Sequence, residues 1–375
     1  MLNPIESYRN EKPPRVGVPL APSLFRFSTC AFSRRSWLRR ITPFLFLYLA
    51  VFLLLGRICH ASAVSLQKPA PLPQPSDSVT SGRVIPQKVI IDTDIGDDVD
   101  DAFAVGLALQ STELQVIGIT TAWGDTQLRA RLLDRLLKET GRSDIPVAVG
   151  IEKHGPGQGV FTQARWAEAG VPAKEHPAAV DFLLQQIQAQ PGQITLVAIA
   201  PLTNVGAAID RDAATFRKLK RVVIMGGSVY HGYDDYGEGT RPPDREYNIA
   251  MDVQAAQKLF AAGVPLSVMP LDSTQLKLDE VKRMLLFTAS TPLTDALALL
   301  TLQWSRGTGR QTPTLFDAMP VAFAIAPELC PAQPLRLRVD EQGYTRPEPG
   351  TPNAQVCIAS DPTKFFDFFL PRLMK

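Results

Sequence analysis

From Lys88 onward, short apolar runs alternate with longer stretches of helical period. "KVIIDTD" reads as a buried strand, and "DDAFAVGLALQ" as the helix after it, acidic at its start and apolar along nearly all of one face. "LQVIGITTAW" predicts a second strand, "TQLRARLLDRLLKETG" an amphipathic helix closed by Gly141, and "IPVAVG" a third strand. Residues 152–177, with "HGPGQG", break both periods and predict a long surface loop. "PAAVDFLLQQIQAQPG" then reads as a helix, "QITLVAIA" as a strand, "PLTNVGAAI" as a turn and helix start, and "KRVVIMGG" as a strand ending in a glycine-rich turn. Beyond these, "TPLTDALALLTLQW" predicts a helix, "LRLRVDEQG" and "AQVCIAS" predict strands, and "PTKFFDFFLPRL" predicts a closing amphipathic helix. This tail is expected to add stability rather than chemistry.

Such alternation predicts an α/β fold, a doubly wound, mostly parallel sheet with helices on both faces. Binding residues then belong at the carboxyl ends of the strands. Every unusual polar cluster falls at such an end: Asp92 and Asp94, Thr121 to Asp125, Pro201 to Asn204, and Met225 to Ser228. Strand ends in this architecture share one rim, so these loops predict one site.

Composition divides the chain. Residues 1–63 carry nine Lys/Arg and two Asp/Glu, whereas the whole chain has a net charge of only +2, so the remainder is acidic and shows no nucleic-acid footprint. "RRSWLRR" precedes the uncharged "ITPFLFLYLAVFLLLG", and "ASA" at Ala61 to Ala63 supplies a cleavage site. A signal peptide or membrane-targeting segment is expected at 1–63, a proline-rich linker at 64–87, and a catalytic domain at 88–375. Export to a periplasmic or extracellular location is the expectation; membrane anchoring through the N-terminal segment is the alternative. Cys330 and Cys357 fall in the domain, where their spacing neither requires nor excludes a bridge; two free, partly buried thiols are the simpler expectation.

Six aspartates crowd into the ten residues from Asp92 to Asp101. Repulsion and desolvation raise such carboxyls unless a cation or strong donors offset them. Neither the GxGxxG fingerprint nor the GxxxxGK[ST] loop is present, and the four histidines are isolated. Carboxylate and carbonyl oxygens point to a hard divalent ion, calcium in a flexible site of high coordination, magnesium in an octahedral one.

"DTDIGDDVDDA" at 92–102, "APLTN" at 200–204, "VIMGG" at 223–227, "EYN" at 246–248 and "FDAMPVA" at 316–322 together resemble the inosine-uridine preferring nucleoside hydrolase family. The resemblance spans nearly all of residues 88–370. It implies calcium-dependent hydrolysis of ribonucleosides to free base and ribose, with no nucleic acid as partner and with a homodimer or homotetramer as a common assembly. The first motif is longer than the commoner family form "DTDxGxDDA". Matched from both ends, Asp94 resembles the metal ligand and general base, Asp101 the metal-chelating member of the DD pair, and Asp100 its ribose-binding partner. Asp92 is expected to orient the loop from behind, and Asp97 and Asp98 to be solvated or turn-forming. Thr203 resembles the residue offering its carbonyl to the metal, and Asp317 the last metal and ribose ligand. Glu246 and Asn248 resemble sugar-binding residues, placed on one side of an extended segment by their i, i+2 spacing.

Three positions depart from that family's pattern. Phe316 stands where well-known members have histidine, Asp125 where many read "GN", and Thr240 where a sugar-binding asparagine is expected. A phenyl ring cannot protonate a leaving base, so the acid is sought among His154, His231, Tyr233 and Tyr236, with His231 first because its segment follows a rim strand directly. Asp125 is carried as a candidate substrate-binding residue, and Trp123 and Trp166 as candidates for base stacking. Two other classes stay open: a metal-dependent hydrolase of another ribosylated metabolite, and an exported nucleoside- or ribose-binding protein.

Overall fold

The computed structural model describes residues 85–170, 172–234 and 241–375. The expected targeting segment and nearly all of the linker lie outside the described residues, as do Tyr236 and Thr240. Ordered structure opens with β1 (Gln87–Thr93), followed by α1 (Asp100–Leu109), β2 (Leu114–Thr121), α2 (Thr126–Glu139) and β3 (Val147–Ala148). Next come α3 (Ala164–Glu168), α4 (Ala179–Ala189), β4 (Ile194–Ile199), α5 (Thr203–Phe216) and β5 (Arg221–Met225). The second half holds α6 (Tyr247–Met251), α7 (Val253–Ala261), β6 (Leu266–Met269), α8 (Leu271–Thr274), α9 (Glu280–Phe287), α10 (Pro292–Thr308) and α11 (Ala318–Ile325). The chain closes with β7 (Gln333–Leu335), β8 (Leu337–Val339), β9 (Thr345–Pro347), β10 (Ala354–Val356) and α12 (Pro362–Leu373).

Eight strands form one sheet in the order β3-β2-β1-β4-β5-β6-β10-β7. All its pairings are parallel except that of β7 with β10. The direction of winding reverses between β1 and β4, which opens a crevice at their carboxyl ends. β1 lies within the sheet and reads as an almost unbroken apolar run because both its faces are covered.

Alternation along β1 ties the two helical layers to one strand. Val89 and Ile91 pack with α1, α2, α10, α11 and α12, whereas Ile90 packs with α4, α5 and α7 on the other face. The same period carries into the polar end: Thr93 faces the α1 side and Asp92 the α5 side.

Three expectations are corrected. The stretch from 152 to 177 is a loop in its greater part, but it contains α3 and buries Trp166. The strand expected in "LRLRVDEQG" is present as β8, which pairs with β9 in a hairpin separate from the main sheet. The "EYN" segment is not extended: Glu246 is the N-cap of α6 and Asn248 lies in its first turn. Cys330 and Cys357 are not free thiols but a disulfide, with Cα atoms 5.6 Å apart, joining the turn after α11 to the end of β10. Their proximity depends on β10 lying beside β6, a pairing between distant segments. Among the described residues, no helix is long and apolar enough to cross a membrane.

Candidate active site

The crowded aspartates occupy the loop from β1 into α1. Gly96 takes φ +126°, where a side chain is disfavoured, and a Cβ there would lie 2.3 Å from the Phe161 ring. The loop therefore turns sharply while residues 159–162 close against it. No side chain caps α1; instead Asp100 and Asp101 fill its first turn, where the helix dipole favours negative charge.

One cation balances this loop from below. Arg129 of α2 is fully buried and donates to the carbonyls of Asp94, Ile95 (3.0 Å) and Trp123 (2.7 Å). Nη1, shared with the first two of those carbonyls, and Nη2 also meet the two carboxylate oxygens of Asp97, at 3.1 and 3.0 Å. Trp123 holds φ +60°, uncommon for a bulky side chain, and its carbonyl is fixed by that same guanidinium. Sequence reasoning missed Arg129, although a signal existed: it shares the stripe i, i+3, i+4, i+7 with Leu132, Leu133 and Leu136, an apolar face with one charge in it.

Asp92 orients the loop from behind. One carboxylate oxygen accepts from Thr120 and from Asn204 (2.8 Å), linking β1 to β2 and to the start of α5. Its other oxygen is buried without a partner, and burial pushes the carboxyl up to about 6. Thr93 donates to Asp101 from the opposite face of the strand.

Above the loop lies a cavity of about 450 Å³. Asp94, Asp97, Asp98, Asp100, Asp101 and Asp317 form its acidic side. Asp317 arrives from more than 200 residues away as the N-cap of α11; its carboxylate does not cap that helix, while its N–H donates to Asp100 at 3.2 Å. One oxygen from each of Asp100, Asp101 and Asp317 lies within 4.8 Å of the others, and all three residues are buried. Burial first, then repulsion from neighbouring aspartates, Asp94 and Asp98 among them, raises these three carboxyls well above their ordinary range. Asp94 is pushed up to about 7 by burial, with Arg129 opposing.

Glu246, Tyr247 and Asn248 form another side of the cavity. The Glu246 carboxylate is largely committed to backbone: it accepts from Asn248 N (2.8 Å), Gly227 N (2.9 Å) and Ile249 N (3.1 Å), and burial still raises it to about 7. It thus joins the β5 rim to α6, and an N-cap of this kind is worth about 1 kcal/mol. Tyr247 was overlooked although it stands between the two residues singled out in "EYN". Trp304, Thr308 and Arg310 also line the cavity, which corrects the expectation that the tail only stabilises: the end of α10 supplies a wall.

Several sequence candidates are not brought to the cavity. His231 is solvent-exposed; its N–H meets Asp272 at 3.2 Å and its carbonyl accepts from Ser228, so its backbone is fixed while its ring faces outward. His154 is exposed and bonded to Glu152 and Gln158. Asp125 is exposed and caps α2 through Leu128 N at 2.9 Å, because a short carboxylate before a helix is drawn to its free amides. Trp123 and Trp166 are buried in packing rather than available for stacking. Thr203 opens α5 behind the cavity wall, its hydroxyl donating to Asp252 at 2.8 Å. Phe316 does line the cavity, edge-on to Tyr233 with ring centroids 6.0 Å apart.

Converging buried carboxylates, offset by a single buried arginine, suit a divalent cation with oxygen ligands. Fold and site together define a doubly wound α/β protein with an acidic cavity at its switch point, lined by a carboxylate cluster of the kind that can hold a divalent metal. Residues 89–367 match the family model of the inosine-uridine preferring nucleoside hydrolases, and the chain belongs to that family. It is 32% identical over 317 residues to the pyrimidine-specific ribonucleoside hydrolase RihA of Citrobacter koseri, covering 76% of this chain and 97% of that one. It is 34% identical over 207 residues to uridine nucleosidase 1 of Arabidopsis thaliana, covering 52% of this chain and 59% of the relative's length. Among solved structures, the plant nucleoside hydrolase PpNRh1 superposes with a TM-score of 0.68 at 27% identity, covering 77% of this chain and 99% of that one.

Proposed function

We propose that the protein hydrolyses the N-glycosidic bond of ribonucleosides to free base and ribose, with calcium as its metal. The observation that carries this reading is the placement of Asp94 beside the Asp100, Asp101 and Asp317 cluster in one cavity. The names of the curated relatives, a pyrimidine-specific hydrolase and a uridine nucleosidase, support ribonucleosides as the substrate class.

Asp101 and Asp317, with Asp94 and Asp100 in the same cavity, would hold the ion. When bound, calcium neutralises the acidic cluster, anchors the ribose diol and polarises water. Asp100 and Asp317 accept from the ribose hydroxyls, and Glu246 and Asn248 fix the sugar from the other side. Asp94 takes the proton of the attacking water as the bond to the base breaks. Oxocarbenium character on the sugar is stabilised by the surrounding carboxylates, which the fold holds in place before substrate arrives. Export by the N-terminal segment belongs to the same reading, supported by the Cys330–Cys357 bridge, since disulfides persist in oxidising compartments.

Free ribose released from inosine, adenosine, guanosine, uridine and cytidine by the purified chain, with calcium and with chelator, tests the proposal. Release that chelation abolishes is the expected result. Calcium binding without ribose release from any nucleoside would overturn it in favour of another ribosylated substrate or a binding role.

A further inference from the structure

We propose that Tyr247 donates the hydrogen bond received by the departing nucleobase, a role that rests on the hydrolase reading above. When the glycosidic bond breaks, its electron pair stays on the ring nitrogen of the base. Water adds to the anomeric carbon and loses a proton to Asp94; the base needs a donor to meet its developing negative charge and later regains a proton from solvent, as Asp94 returns its own. The cavity must supply that donor.

Few of its walls can. Ionised carboxylates only accept. Among the described residues, no histidine, lysine or cysteine lines the cavity. The Thr162 hydroxyl donates to the Asp97 carbonyl at 2.8 Å, and that of Thr308 to the Trp304 carbonyl at 2.9 Å. Arg310 lies beyond the end of α10 and is exposed.

Two phenols line the cavity, Tyr233 and Tyr247, and Tyr247 is the one close enough to Asp94 to feel its charge. As the first residue of α6 it donates its backbone N–H to the Tyr233 phenol oxygen at 3.0 Å, which fixes the root of the side chain. Its own phenol oxygen accepts from Gly159 N at 3.5 Å, leaving its proton to point elsewhere. Burial, and then the Asp94 carboxylate, push the phenol above its ordinary range, so it stays a neutral donor. It lines the cavity together with both Asp94 and the apolar Val160 and Phe316, so a ribose seated on the carboxylates would direct its base along this boundary.

Tyr247→Phe in the full chain, loaded with calcium, removes the hydroxyl and keeps the ring; thermal unfolding verifies the fold. Turnover is compared on inosine and uridine and on 4-nitrophenyl riboside, whose phenolate leaves without help. The expected result is a kcat on the nucleosides that falls about 100-fold more than kcat on the nitrophenyl riboside, the usual scale for a positioned proton donor. Equal changes on both substrates overturn the proposal. A wild-type protein inert on all three overturns instead the hydrolase reading beneath it.

Discussion

Arg129 and Asp97 meet with both carboxylate oxygens engaged, the closer contact 3.0 Å, on a guanidinium with no exposure to solvent. The pair accounts for an aspartate in the unusual spacer between Gly96 and Asp100. Expected to be solvated or turn-forming, Asp97 instead supplies the counter-charge for the arginine that holds the catalytic loop's carbonyls. Asp98 also lines the cavity, and one of its oxygens accepts from Val99 N at 2.6 Å.

Breaking this pair from either side leaves an uncompensated buried charge. Arg129→Met is expected to destabilise the protein by about 3–5 kcal/mol, because three carbonyls lose their donor as well. Asp97→Asn, which keeps a hydrogen-bonding group, should cost less. Denaturant unfolding of both variants checks the order; an Asp97→Asn effect as large as that of Arg129→Met would refute it.

Replacing Asp94 by Asn should remove the base while leaving the loop, whose hydrogen bond from Arg129 is to the Asp94 carbonyl and not to its carboxylate. Turnover is expected to fall by roughly 10²–10⁴-fold. The metal-free variant should unfold at a higher temperature than metal-free wild type, since one buried charge is gone.

Stability without metal should fall as pH rises. Burial lifts Asp92 to about 6 and Asp94 and Glu246 to about 7, from ordinary values of 3.8 for aspartate and 4.5 for glutamate. Between those limits the folded state holds more protons than the unfolded one, so each unit of pH weakens the fold until these groups have ionised. Thermal unfolding in chelator should show a melting temperature that declines from about pH 4 to pH 7 across this window. Added calcium should restore most at the upper end, where the ligands are ionised; a profile that rises with pH in chelator would contradict the electrostatics.

The Cys330–Cys357 bridge closes a separation of 27 residues and ties the segment after α11 to the sheet. Cys330→Ala/Cys357→Ala should lose about 3 kcal/mol of stability. Both cysteines lie outside the cavity lining, so kcat and KM at 25 °C should remain those of the bridged protein. Guanidinium unfolding with parallel kinetics decides between a stabilising bridge and one that shapes the site.

Local information in the chain determined the alternation of strands and helices, the rim at the strand ends, and the gathering of Asp94, Asp100, Asp101, Glu246, Asn248 and Asp317. Each is carried by short-range pattern or by a motif, and a parallel sheet forces its carboxyl ends together whatever the intervening lengths. Tertiary structure alone decided which neighbours face the cavity. His231 and Asp125 are adjacent in sequence to rim residues yet turn outward, because the His231 N–H is bonded to Asp272 and the Asp125 carboxylate accepts from Leu128 N. Arg129 and Trp304 carry no motif, and Tyr247 stands inside one that does not reveal its part; their importance arises from contacts across dozens to hundreds of residues. Charge burial, disulfide pairing and the direction of a side chain depend on what packs opposite, and that partner is chosen by the whole fold.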